Sequence, residues 1–154
     1  MIPTPLHANC LPMPFKAALA AGREVIARTR YYLDQCVSFA VETTLAGSGP
    51  LETMRRAKRP GFKVRLIYVA LDSPERNIQR VRERVTQGGH GVPNDDVRRR
   101  YIRSLENLPE ALKVADSAVV YDNSGPFACK VLEARDGIVT WVADPPPEWL
   151  LHLG

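Results

Sequence analysis

The chain has 154 residues, 45% hydrophobic and 25% charged, an ordinary composition for a soluble globular protein in which one domain with one core is expected. Its 21 Lys and Arg against 17 Asp and Glu leave a net charge of +4, which suits an anionic ligand without by itself indicating nucleic acid. The three cysteines are too few and too widely spaced for a disulfide framework or a zinc pattern, no apolar run reaches the length of a membrane span, and the start lacks a signal pattern, so a reduced cytoplasm is the expected setting.

Pro3, Pro5, Pro12 and Pro14 predict irregular structure over residues 1–14. Alanines and apolar residues near a 3.6 period predict a helix from Phe15 to Gln35. The short apolar run Val37 to Val41 predicts a buried strand that ends at Glu42-Thr43-Thr44. Gly47 to Pro50 reads as a loop, and Leu51 to Arg59 as a helix stopped by Pro60-Gly61. Phe62 to Leu71 is the clearest strand. Ser73 is a good N-cap, with Pro74 at the first helical position, and that helix should run to about Thr86 before Gly88-Gly89. A helix from Pro93 to about Leu105, a further helical piece from Asn107 to Val114 and a strand from Ser117 to Tyr121 come next. Residues 127–134 and 137–142 flank Asp136-Gly137 as a hairpin, and Trp149 to Leu153 reads as a cap. Strands alternating with helices predict an α/β domain with a mainly parallel sheet and an antiparallel hairpin at one edge.

Several constellations carry possible chemistry, each beside a plainer alternative. Glu42, Thr43 and Thr44 lie at the carboxyl end of an expected strand, where α/β sheets bind ligands, and could hold a hydroxylated substrate; the alternative is loop-capping hydroxyls. Arg76, Arg80 and Arg84 share one helix face and could stabilise a moving phosphoryl group, or could simply be solvated. Gly88-Gly89-His90-Gly91 has three glycines in four residues, a hinge that would expose the His90 imidazole to ligand or only to water. Arg98, Arg99 and Arg100 point three ways, so one or two should face Asp95, Asp96 or water. Tyr121-Asp122-Asn123-Ser124 leaves a strand end in Asx-turn chemistry. The cysteines, Trp141 and Trp149 read as core or edge packing. Tyr101 alone is thin aromatic support for a nucleic-acid surface.

The ordered set Glu42-Thr43-Thr44-Leu45-Ala46-Gly47, Leu66-Ile67-Tyr68-Val69, Ser73-Pro74-Glu75, Arg80 to Val85, Gly88 to Pro93, Arg99-Arg100-Tyr101 and Tyr121 to Ser124 resembles the zeta toxin family of P-loop kinases, over about residues 16–125. The resemblance implies a P-loop-kinase-like parallel sheet flanked by helices, use of ATP and Mg²⁺, and phosphoryl transfer to a hydroxylated nucleotide sugar such as UDP-N-acetylglucosamine. It places Glu42, Thr43 and Thr44 in the substrate site, Arg80 and Arg84 as catalytic lid arginines, and His90 and Arg100 in the lid and the helix after it. An antitoxin or a second copy becomes a possible partner, and a membrane does not.

The departures matter equally. No G-x-x-x-x-G-K-[ST] phosphate loop occurs in the 154 residues, and the family's Asn-x-Asp stretch has at most a remnant in His7-Ala8-Asn9-Cys10-Leu11, without the Asp. Losing the cradle and the base removes two main sources of rate. The expectation is one zeta-toxin-like domain over residues 1–154 without its Walker strand, inactive or nearly so. It would be a fragment, a degenerate copy with a rearranged sheet, or half of an oligomer supplying the missing edge. The alternative is a non-catalytic relative kept as an interaction module.

Overall fold

The computed structural model describes residues 13–153, so the expected irregular start and the His7 to Leu11 stretch lie outside the described residues, save Met13 and Pro14, which open the first helix. The chain divides into two compact units, residues 1–41 and 42–154. The described part of the first unit is α1 (Met13–Asp34) and the segment after it. Cys36 takes a left-handed φ of 53°, and the Val37 N–H donates back to the Tyr32 carbonyl at 3.0 Å. Phe39 stacks on the Tyr32 ring, with centroids 5.7 Å apart. The strand expected at residues 37–41 does not form, because the apolar run folds back on its own helix rather than entering a ladder.

The second unit holds α2 (Ser48–Lys58), β1 (Arg65–Ala70), α3 (Pro74–Thr86), α4 (Asn94–Val114), β2 (Ser117–Asp122), β3 (Cys129–Arg135), β4 (Ile138–Val142) and α5 (Glu148–Leu151). These strands make one sheet in the order β1-β2-β3-β4. Only β1 and β2 run parallel, in the register Leu66 with Ala118 and Tyr68 with Val120; the other pairings are antiparallel. The sheet is therefore mixed rather than mainly parallel. The 37–41 run adds no strand, and the hairpin supplies two of the four.

Local sequence explains most boundaries. Ser73 caps α3, its hydroxyl accepting from the Arg76 N–H at 3.3 Å, and Pro74 occupies the first turn. Asp136 and Gly137 have φ of 49° and 78°, the twisted two-residue turn that an antiparallel hairpin favours. The two helical pieces expected at residues 93–105 and 107–114 are one helix, α4, with Pro109 inside it. Proline removes an intrahelical donor there. Leu108, Ala111 and Leu112, all buried, continue the apolar face across the defect.

The core lies on one side of the sheet. Ala70, Ala118, Val120, Leu132 and Ala134 meet Leu108, Ala111 and Leu112 of α4, with Leu45, Leu51, Trp149 and Leu150 closing the edges. Trp149 is buried in the core, and Trp141 lies on the edge strand β4 beneath the Lys130 ammonium, 4.6 Å from its ring centroid, so the two fill the core and edge positions expected of them. Cys36 and Cys129 are exposed free thiols rather than packing residues, and Cys10 lies outside the described residues. On the sheet's other side, Ile67 and Val69 of β1 are 64% and 56% exposed. At the amino ends of β1 and β2, the Asp116 carboxylate accepts from the Val64 N–H at 2.7 Å and from Lys58 Nζ at 2.7 Å. The Lys58 ammonium, then the Val64 N–H, hold its pKa down at about 2.

Candidate functional site

A cleft of about 460 Å³ opens within the second unit along β1. Ile67, Tyr68, Val69, Ala70 and Leu71 all reach it. Successive strand residues point to opposite faces, so a cleft touched by five in a row runs along the strand's border rather than over one face. Among the described residues that border has no sheet partner, because β1 pairs there with β2 alone. Residues of α3 and α4 line it as well, together with Glu42, Thr43 and Thr44.

The Glu42 to Thr44 segment is held in place by its neighbour Leu45. The Thr43 hydroxyl accepts from the Leu45 N–H at 3.2 Å, a local turn compatible with the left-handed φ of 56° at Leu45. The Leu45 side chain is buried in the core, and the Asn107 amide donates to the Leu45 carbonyl at 2.7 Å. A strand end thus becomes a pinned loop, and Glu42, Thr43 and Thr44 are left exposed along the cleft.

Cations face them. Arg84 from α3 and Arg100 from α4 line the cleft, and Arg100 forms no ion pair with any described residue. Its neighbours are otherwise engaged: Arg98 pairs with Glu75 and Asp95, and Arg99 with Asp96 at 2.7 Å. Arg84 Nη2 donates to the His90 carbonyl at 3.1 Å. The structure therefore brings together Glu42, Thr43, Thr44, Arg84 and Arg100. It does not bring Arg80 or His90 to the same cleft. The Arg80 guanidinium donates to the Asn123 carbonyl beyond the end of β2, and His90 contributes its carbonyl to Arg84 while its imidazole lies outside the cleft lining. Arg76 also turns away, in a two-pronged pair with Asp72 at 2.8 and 2.9 Å that holds the Asp72 carboxyl below the usual range.

Sequence reasoning missed the polar residues of the cleft floor and wall. Tyr68 shares a hydrogen bond of 2.8 Å with Ser104 across the β1–α4 packing. The Tyr101 hydroxyl donates to the Leu71 carbonyl at 3.1 Å, satisfying a group just past the strand end. Burial raises the Tyr68 pKa and, reinforced by Tyr68 and nearby carboxylates, pushes Tyr101 up to about 12. Both are therefore neutral hydroxyls at ordinary pH. The available signal was a tyrosine inside an otherwise aliphatic strand, with a serine on a helix that must pack over it.

The cleft therefore presents two guanidinium groups, one carboxylate and two threonine hydroxyls. Among the described residues no three His, Cys, Asp or Glu side chains converge as a cation site, and the sequence has no phosphate-cradling loop. No helix of the described residues is long and apolar enough to cross a membrane.

No family model matches the chain, and no solved structure matches it. A Haemophilus influenzae protein described only as uncharacterized is 36% identical over 88 residues, 57% of this chain and 63% of that relative. The chain thus spans less than two thirds of that relative's length.

Proposed function

We propose that this cleft is the substrate half of a zeta-toxin-like phosphotransferase fold and binds a small, phosphorylated, hydroxylated molecule of the nucleotide-sugar type. The observation that carries the reading is the convergence of Glu42 and Thr44 with Arg84 and Arg100 on one cleft. Glu42 and Thr44 would take a sugar hydroxyl by hydrogen bonds. Arg84 and Arg100, unlike the ion-paired Arg98 and Arg99, would take the phosphates through forked, charge-assisted donors. Parallel β1 and β2 place their carboxyl ends toward α3, in keeping with the usual location of ligands in such sheets.

The same reading assigns no phosphoryl transfer to these residues acting alone, since nothing among them cradles a donor triphosphate or supplies the missing base. Calorimetric titration with UDP-N-acetylglucosamine tests it. Binding is expected, weakened about tenfold by Arg100→Ala, the loss typical of one charge-assisted hydrogen bond. Absence of binding at millimolar ligand, or an Arg100→Ala variant that binds as well as the parent, overturns it. The second reading, a non-catalytic interaction module, is favoured by the absent phosphate loop. Copurification of a stoichiometric protein partner, without ligand binding, would select it.

A further inference from the structure

We propose that Gly89 is a positioning residue for Arg84: its lack of a side chain lets the arginine fold back over the turn on to the His90 carbonyl and stand against the cleft. The inference rests on the anion-binding reading of that cleft and names a residue on which it depends.

The turn after α3 sets the geometry. The Gly88 N–H donates to the Val85 carbonyl at 3.0 Å and the Gly89 N–H to the Arg84 carbonyl at 2.9 Å, with Gly88 at a φ of +88°. This is the paired closure that ends a helix in a left-handed residue. In that closure the residue after the left-handed one usually carries an apolar side chain, packed on the residue three back from the helix end. Here those two positions are Gly89 and Arg84. The apolar contact is replaced by the arginine stem lying on bare backbone.

The two glycines are required for different reasons. A Cβ at Gly88 would meet nothing within 4 Å, so only its φ restricts it. Gly89 lies outside the left-handed range, but a Cβ there would stand 2.6 Å from Arg84 Cγ and 2.8 Å from the Arg84 carbonyl oxygen, so the turn backbone must shift as well as the side chain. The arginine must leave. Its guanidinium is exposed, and without the 3.1 Å bond to His90 it would sample many rotamers. The clasp removes that freedom before a ligand arrives, which is how preorganisation raises affinity. It also gives His90 a use, through its carbonyl, that the imidazole does not share.

The test uses the full chain and inorganic tripolyphosphate as probe, titrated at constant ionic strength. Arg84→Ala and Gly89→Ala should each weaken binding about fivefold to tenfold, and the double variant should be no weaker than Arg84→Ala alone, because both remove one device. Arg82→Ala, which loses the same charge from α3 outside the cleft, should stay within about twofold. Arg84→Lys leaves the turn intact and should weaken binding nearly as much as Arg84→Ala, since an ammonium cannot span carbonyl and anion with a planar fork; it serves if Gly89→Ala fails to fold. A ligand-free readout runs beside these. Nitrogen-15 NMR of the Arg84 side chain should show slowed guanidinium rotation in the parent and its loss in Gly89→Ala. Wild-type binding by Gly89→Ala, or multiplying penalties in the double variant, overturns the proposal, as does a freely rotating Arg84 in the parent. A parent that ignores tripolyphosphate overturns the anion-binding reading instead, and the NMR measurement then decides the clasp by itself.

Discussion

Trp149 Nε1 donates to the Asp122 carboxylate at 2.7 Å, fastening the short α5 to the carboxyl end of β2. The same carboxylate accepts from the Ser124 N–H at 2.7 Å, and the Ser124 hydroxyl accepts from the Asp72 N–H at 2.7 Å. Partial burial raises the Asp122 pKa, but the bonds from Ser124 and Trp149 outweigh it and the carboxyl lies below its usual range. The ends of both parallel strands and the last helix are thus tied through one aspartate. Trp149→Phe keeps most of the buried area and removes the donor, so it should cost about 1–3 kcal/mol, the worth of a hydrogen bond to a charged group. Urea unfolding followed by circular dichroism measures this, and an unchanged midpoint would show that the bond contributes nothing.

Asp116 makes acid stability predictable. Its pKa is about 2 in the folded chain against an ordinary 3.8. The unfolded chain therefore binds the proton more readily, and the stabilisation is complete above the ordinary value and disappears as pH falls through about 2. Asp116→Asn should melt below the parent at neutral pH, and the gap should close on acidification. A gap independent of pH would assign the effect to packing rather than charge.

Tyr101 gives the opposite sign. Its pKa is raised from 10.0 to about 12 on folding. Its contribution is fully present below the ordinary value and is lost as pH rises toward the folded one. Tyr101→Phe should cost about 0.5–1.5 kcal/mol at neutral pH, the worth of its bond to the Leu71 carbonyl, and the difference should shrink in strong alkali. Ultraviolet titration should find Tyr68 and Tyr101 ionising late, and Tyr101→Phe should remove one of these late steps.

Gly137 probes the hairpin. Its φ is +78°, and an added Cβ would lie 3.2 Å from the Lys113 carbonyl oxygen. Gly137→Ala should destabilise by about 1–2 kcal/mol from backbone strain alone. Asp136→Gly, at a φ of 49° in the same turn, should be neutral or mildly favourable. Thermal melts of the two variants compare them directly, and equal losses would refute the conformational argument.

The parts of this fold legible in the sequence are those decided within a few residues. Ser73-Pro74 opens α3, Gly88 closes it, and Asp136-Gly137 turns the hairpin, each by local dihedral and capping chemistry. Features that depend on distant neighbours were not legible. Val37 to Val41 has strand composition, yet Phe39 finds Tyr32 instead of a ladder. Arg80 and Arg84 share a helix face, yet one reaches Asn123 and the other His90, because spacing fixes direction and not the partner waiting there. For the cleft, Glu42, Thr43, Thr44, Arg84 and Arg100 were visible as residue types able to bind a hydroxylated anion. Tyr68 and Ser104 were not, since their pairing exists only once α4 lies over β1.

The position of β1 has one further consequence. The strand that walls the cleft is also the sheet's outermost rung, with its outward N–H and C=O groups unclaimed by any other strand of the sheet. A chain laid against that rung would have to enter the cleft itself. If the proposed ligand binds there, strand addition at this border would compete with it, and each would report on the other.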